Sequence, residues 1–394
     1  MTPQSSAAVE TDKNRWTVSS IILGAGFGLT GAATVMLGVL LPTLSLKWGM
    51  RDNVAGFLLF LQFLGSSLGA ILTGTKRIRS ISIGYGLLIL CAGALAFAGM
   101  RLSFAVFFLF GLGLGMVMTG TSLLISDRYD DDRAAKLERV NFAWAAGATA
   151  APVLFIPFLR IPTLSPLFFT FQGLFLLLFV WVMAREKQDE VSALAPLLPS
   201  QMHGPESAGA LLPLVALAAC AVGVESSLSG WLTTYSRRAD LPGLGNAALA
   251  ASLFWFGIVI SRLVFSTRLL AVVGRRRLLG AVLWGAVVST GLLIAAQTPF
   301  SIRVVAALAG LCIGPLYPLL LSYILQRSPR GWVFAVAGVG SAVLPWLTGM
   351  LSAHLNSLQF GLIAPCAAAV LMIVLAKAGI PAGNVEKMKA ASHP

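Results

Sequence analysis

Apolar residues in this chain come in long unbroken runs separated by short polar turns. Twelve runs stand out, at approximately 17–44, 53–73, 80–100, 103–126, 138–159, 164–184, 210–236, 246–270, 275–296, 301–326, 331–354 and 358–379. A helix needs about 20 apolar residues to cross the hydrocarbon of a bilayer. Backbone groups in lipid must be paired within their own segment, so runs of this kind predict helices. The apolar/polar alternation of barrel strands is not their pattern. The expected fold class is an all-α membrane protein with twelve transmembrane helices.

The longest polar stretch between runs extends from Arg185 to Gly209 and divides the spans six and six. It sets expected boundaries at 1–184 for an N-terminal half, 185–209 for a cytoplasmic linker and 210–394 for a C-terminal half. The halves echo each other. Span two carries Gly65 and Gly69 and runs into Lys76, Arg77 and Arg79. Span eight carries Gly257 and Arg262 and runs into Arg275, Arg276 and Arg277. Two pseudo-symmetric six-helix halves suit a transporter built from repeats, with its site at the midplane between them. The first run has no small-residue cleavage site and is too long for a signal-peptide core, so it is expected to be a retained helix.

Composition narrows the picture. Of the 394 residues, 57% are hydrophobic and 11% charged, against about a quarter charged in a soluble domain. A net charge of +13 in a soluble protein would suggest nucleic acid, but here the basic residues sit in short connections between apolar runs. Nucleic acid is therefore not an expected partner; the bilayer is. With the N-terminus inside, 20 of the 28 Lys and Arg fall on the cytoplasmic side. Seven fall outside, namely Lys47, Arg51, Arg101, Arg160, Arg237, Arg238 and Arg303. That asymmetry places both termini and the central loop in the cytoplasm. No N-x-S/T acceptor is present, which points to a bacterial inner membrane. The four cysteines suit neither a disulfide framework nor a metal site. No phosphate-binding G-x-x-x-x-G-K-[ST] run exists, so movement of a solute would be gradient-driven or facilitative. No cofactor, metal or enzymatic activity is expected, and a monomer can form a complete pathway.

Two charges interrupt the apolar runs. Glu225 lies in AACAVGVESSLSGWLTTY and Arg262 in LFWFGIVISRLVFSTRLL, both near mid-span. Intramembrane charges are costly and usually mark a transport pathway or proton relay. Burial favours the protonated carboxyl and a nearby Arg the ionised one, so a carboxylate balanced between them can load and release a proton. Arg262 would be its fixed counter-charge or a substrate ligand. A permanent ion pair joining spans seven and eight is the structural alternative.

Helical spacing suggests what surrounds the pair. Gln62 on span two, Asn141 and Trp144 on span five, Ser229 and Trp231 on span seven, Trp255 on span eight and Tyr317 on span ten are the candidate substrate residues. Glu225 and Ser229 share one face of span seven; Ser227, Trp231 and Thr234 share another. Gly230 would let that helix bend. Pro315 and Pro318 predict a bend around Tyr317. Amides and hydroxyls suit sugar OH groups, and aromatic faces suit sugar C–H faces. Contact between helices is an equal alternative for Gln62, Asn141 and Trp255. Tyr235 reads as an interfacial anchor. The turn SDRYDDDRAAKLER, with Asp130–Asp132, reads as solvated ion pairs, and His203, His354 and His393 as bystanders.

Twelve spans in two halves split by a cytoplasmic loop resemble the major facilitator superfamily. GVESSLSGWLTTY, FWFGIVISR, GLCIGPLYPLLLS and AGVGSAVLPWLTGMLS in spans seven, eight, ten and eleven are similar to its fucose/galactose/glucose–proton symporter branch. The family's loop after span two carries an acid where this chain has Thr73, and spans one and four lack the acids of the fucose type. The resemblance implies alternating access and proton symport of a small polar solute, a hexose or related sugar, through Glu225 and Arg262. The rival expectations are an exporter of amphipathic drugs or lipids on the same fold, kept open by Gly147 to Pro152 in span five, and a non-transporting membrane sensor.

Overall fold

The structure is a computed structural model that describes residues 18–128, 133–189, 208–239, 244–264, 274–327 and 332–379. The described residues are helical throughout apart from short turns, and no strand occurs among them. Spans one to four are Val18–Trp48, Asp52–Leu72, Arg77–Leu95 and Met100–Arg128. Span five is Arg133–Leu154 continued by Ile156–Leu159, and span six is Ser165–Asp189. Spans seven to nine are Ala208–Ala239, Leu244–Val264 and Arg275–Ala295. Span ten is Pro299–Ile313 followed by Leu316–Arg327, and span eleven is Trp332–Leu355. Span twelve is Leu358–Gly361 followed by Ile363–Gly379. Eleven of these are long and apolar enough to cross a membrane. Span eleven, with 24 residues, is about 36 Å long and supplies the twelfth. The central linker 190–207, Asp130–Asp132, His203, His393 and the tail of the expected span eight lie outside the described residues.

The chain packs as two equivalent sets of six. Span two lies on span four and span one on span five, as span eight lies on ten and span seven on eleven. Span three meets four and six, as nine meets ten and twelve. Among the described residues the most extensive packing between the sets is of two with eleven, five with eight, and one with seven. The first two exchange under the same pseudo-symmetry, and the third lies between them.

Small residues set the tight crossings, as expected where helices associate without water between them. A Cβ on Gly31 would collide with the Trp144 carbonyl, and one on Gly147 with the Gly28 carbonyl, so spans one and five touch backbone to backbone. Gly38 meets the Ser229 carbonyl and Gly230 where spans one and seven cross. Gly56 packs on Pro345 and Trp346 where spans two and eleven cross. Span seven runs unbroken through Gly230. That glycine does not break the helix, and it accepts the Leu59 side chain of span two. The bend expected near Tyr317 is present, because span ten breaks between Ile313 and Leu316.

The basic turn after span two is tied to span four. Arg77 donates from Nε to Asp127 Oδ2 at 3.2 Å and from Nη1 to the Gly74 carbonyl at 2.6 Å. Thr73 donates to the Gly69 carbonyl of its own helix.

Candidate functional site

Span seven organises the polar interior. Glu225, Ser229, Thr233 and Ser236 follow one another in steps of four, four and three, which puts them on one face. At 1.5 Å per residue, Glu225 lies about 20 Å along the helix from Arg238 near its end.

Arg262 of span eight brings Nη2 to 3.7 Å from Glu225 Oε2. The expected pair is therefore formed, but at that separation it is a charge pair without a hydrogen bond. Glu225 is 16% exposed and Arg262 27%, so both remain reachable. The span-ten break supplies Arg262 with a second contact. Pro318 has no N–H to offer the Gly314 carbonyl four residues back. Arg262 Nε donates to that carbonyl at 3.4 Å. Tyr317, just past the break, lies within electrostatic reach of both Glu225 and Arg262. One carboxylate and one guanidinium from two spans thus form a pair, with a phenol from a third span in its field.

One turn along span seven, Ser229 accepts from Trp255 Nε1 at 3.1 Å. Trp255 meets Trp144 of span five edge to face, with ring centroids 5.1 Å apart. The Trp144 Nε1 proton is buried and has no acceptor among the described residues. Gln62 donates from Nε2 to the Thr34 carbonyl of span one at 2.8 Å, while its Oε1 is buried without a donor. Trp144 and Gln62 meet span one at Gly31 and Thr34, one turn apart. A donor and an acceptor, both unmatched, therefore flank the same stretch of span one. Buried polar atoms are nearly always matched, so such exceptions point to a ligand or water.

Two expected residues stand elsewhere. Asn141 is exposed on span five, one turn from Trp144. Trp231 is fully buried and donates to the Pro345 carbonyl at 2.9 Å, while Ser227 bonds Thr348 at 2.7 Å. The face predicted for Trp231 is right, but it turns to span eleven and braces it. Tyr235 is no lipid anchor either. Its hydroxyl lies 3.1 and 2.6 Å from the Leu293 and Ala296 carbonyls, closing the end of span nine.

A second buried carboxylate escaped the sequence reading. Asp52, at the start of span two, receives Arg238 of span seven through two bonds of 2.6 and 2.8 Å. Ser352 of span eleven donates to the same carboxylate. Arg51 adds a bond to the Ala353 carbonyl at 3.3 Å. The two sets of six are therefore clasped at this end. An acid at the first position of a run, followed by a basic pair at the end of another, was the available signal. No group of three or more metal-ligating side chains occurs among the described residues.

The comparisons agree with this architecture. The family model described as Major Facilitator Superfamily matches residues 23–330. No curated protein matches the chain at a level that shows kinship. Among solved structures, it is similar to a variant of a peptide transporter POT in complex with alafosfalin. That match has 17% identity and a TM-score of 0.73, and covers 91% of this chain and 93% of the other. The peptide transporter POT in complex with sulfate has 16% identity and a TM-score of 0.72, with coverage of 90% and 92%. At such identity the likeness shows the fold alone.

Proposed function

The chain belongs to the major facilitator superfamily, and from that premise we propose that it is a proton-coupled symporter of a small hydroxylated solute, of the hexose type. The observation that carries this reading is the Glu225–Arg262 pair. It joins spans seven and eight without a hydrogen bond, and both side chains are reachable. A proton on Glu225 releases Arg262, and a solute then takes the freed position. The contact differs between the loaded and empty states, as a coupled switch requires.

The hydroxylated class rests on the text of spans seven, eight, ten and eleven and on the unmatched Gln62 Oε1 and Trp144 Nε1. Ser229, Trp255 and Tyr317 adjoin them. Asn141 joins this set only if span five turns during the cycle. A small peptide is the second reading, favoured by the likeness to the peptide transporter structures. In this proposal residues 1–184 and 210–394 rock against each other, the 185–209 linker and both termini are cytoplasmic, and the Asp52–Arg238 end faces outward. A cysteine placed at Ser207 should resist labelling from outside intact cells; efficient labelling there reverses the orientation.

The functional test compares pH-driven uptake with counterflow in proteoliposomes. Glu225→Gln mimics the protonated carboxyl. It is expected to keep exchange and lose uphill accumulation. Normal uphill transport by this variant would remove Glu225 from the coupling step.

A further inference from the structure

A symporter that buries its coupling pair must keep the charge of that site balanced through the cycle, because an uncompensated buried charge is costly. The empty site holds Glu225 against Arg262 and is neutral. A proton arriving with a neutral sugar leaves Arg262 positive and unmatched. Among the described residues its surroundings offer no second acid. Of the other spans packed on span seven, the charged or imidazole residues are Lys47 of span one, Arg303 and Arg327 of span ten, His354 of span eleven and Lys377 of span twelve. All of these stand toward span ends. Tyr317 of span ten and Cys220, five residues before Glu225, are the nearby neutral titratable groups. A proton arriving with a singly negative solute restores neutrality, with the anion on Arg262.

The polar face of span seven points the same way. Above Ser229, Thr233 Oγ1, Ser236 Oγ and Arg237 Nη1 are buried with no partner among the described residues. Thr233 is 1% exposed and Ser236 fully buried. Thr43 Oγ1 of span one is unmatched as well. Spans one and seven run in the same direction and cross at Gly38 and Ser229–Gly230, so Thr43 comes level with Thr234. A guanidinium and several hydroxyls, with no free acid beside them among the described residues, suit an anion bearing hydroxyls. The nearby Asp52 is already taken by Arg238 and Ser352. In the sequence, the turns assigned to the outside carry the seven basic residues Lys47, Arg51, Arg101, Arg160, Arg237, Arg238 and Arg303 against two acidic ones, Asp52 and Asp240. Such an excess raises the local concentration of anions at the mouth.

We propose that the solute carries a carboxylate beside its hydroxyls, a sugar acid in place of a neutral hexose, and that it passes along the Arg237–Ser236–Thr233–Ser229 face to Arg262. This rests on the proton-symport reading above. In the balanced step one proton binds the Glu225 carboxylate and one solute carboxylate pairs with Arg262. Both leave on the other side, and no net charge crosses the membrane.

The test uses the full chain in proteoliposomes with four probes, D-glucuronate, D-galacturonate, D-glucose and D-galactose. The uronates should stabilise the protein against heat at concentrations at least about tenfold lower than the aldoses. Their pH-driven uptake should not respond to a potassium potential set with valinomycin. Arg237→Gln should raise the half-saturating uronate concentration about tenfold, and Arg237→Lys should recover most of it. Potential-sensitive uphill uptake of the aldoses overturns the carboxylate and leaves proton symport standing. Uptake that runs only downhill overturns proton symport and takes the charge argument with it. No stabilisation by either uronate, or equal stabilisation by inorganic phosphate, also overturns the proposal.

Discussion

Asp52→Ala should open the clasped end without unfolding the protein. The substitution removes both Arg238 bonds and the Ser352 bond at once. Charge-assisted hydrogen bonds contribute about 1.5–3 kcal/mol each in favourable cases. Arg238 is 46% exposed, so water recovers much of what it loses. A net loss of about 2 kcal/mol is reasonable after that discount. Every 1.4 kcal/mol is about a factor of ten, so the balance between clasped and open states should shift about 30-fold. Each set of six keeps its own packing, so the loss should fall on the contact between the sets and not on the fold. Spin labels at Arg101 on span four and Phe300 on span ten report the separation at this end, and both sites are exposed. The longer-distance population should grow in Asp52→Ala and in Arg238→Ala. The double variant should be little worse than either single one, because all three remove the same pair. A distance distribution unchanged from wild type, in folded protein, would show that the clasp carries no weight in the conformational balance.

Three further outcomes follow from the packing. Gln62→Leu removes an unmatched buried acceptor and a single bond to Thr34, so its melting temperature should stay within a few degrees while substrate affinity falls about tenfold or more; unchanged affinity would make Gln62 helix packing alone. Trp231→Phe loses the bond to Pro345 and should cost about 1 kcal/mol of stability with transport kept, and loss of transport at unchanged stability would instead move Trp231 to the solute path. Gly31→Ala forces a methyl against the Trp144 carbonyl and should cost about 3 kcal/mol. Gly86→Ala meets nothing within 4 Å and should be silent by the same thermal assay; equal melting temperatures for the two would refute the close approach of spans one and five.

The spans were legible because lipid imposes one solution on every apolar run. The proposed division into 1–184 and 210–394 rests on one polar stretch far longer than the rest, with matching glycines and basic turns recurring around it. Three features went unread. The span-five break at Phe155 and the span-twelve break at Leu362 stand beside Pro157 and Pro365, a mark the sequence reading passed over. The break in span ten was visible only because Pro315 and Pro318 stand there. The role of Gly230 could be read either way. A glycine permits both a bend and a close approach, and the position of Leu59 shows the close approach.

The site divides along the same line. Glu225 and Arg262 announced themselves because a charge deep in an apolar run has no other explanation than a partner or a path. Periodicity also placed Ser229 with Glu225 and set Trp231 on a different face. It could not say that the Trp231 face meets span eleven, since that depends on which helices adjoin. Asp52 shows the sharper limit. It lies at the first position of span two, where a charge reads as part of a loop. Its partners, Arg238 and Ser352, are 186 and 300 residues away in the chain. Each of the three looks unremarkable in its own segment. Their meaning comes from the pseudo-symmetric packing that carries spans two, seven and eleven to one point. A clasp between halves is therefore the kind of device that a segment-by-segment reading passes over, and the crossing of spans one, two, seven and eleven is where to look for it.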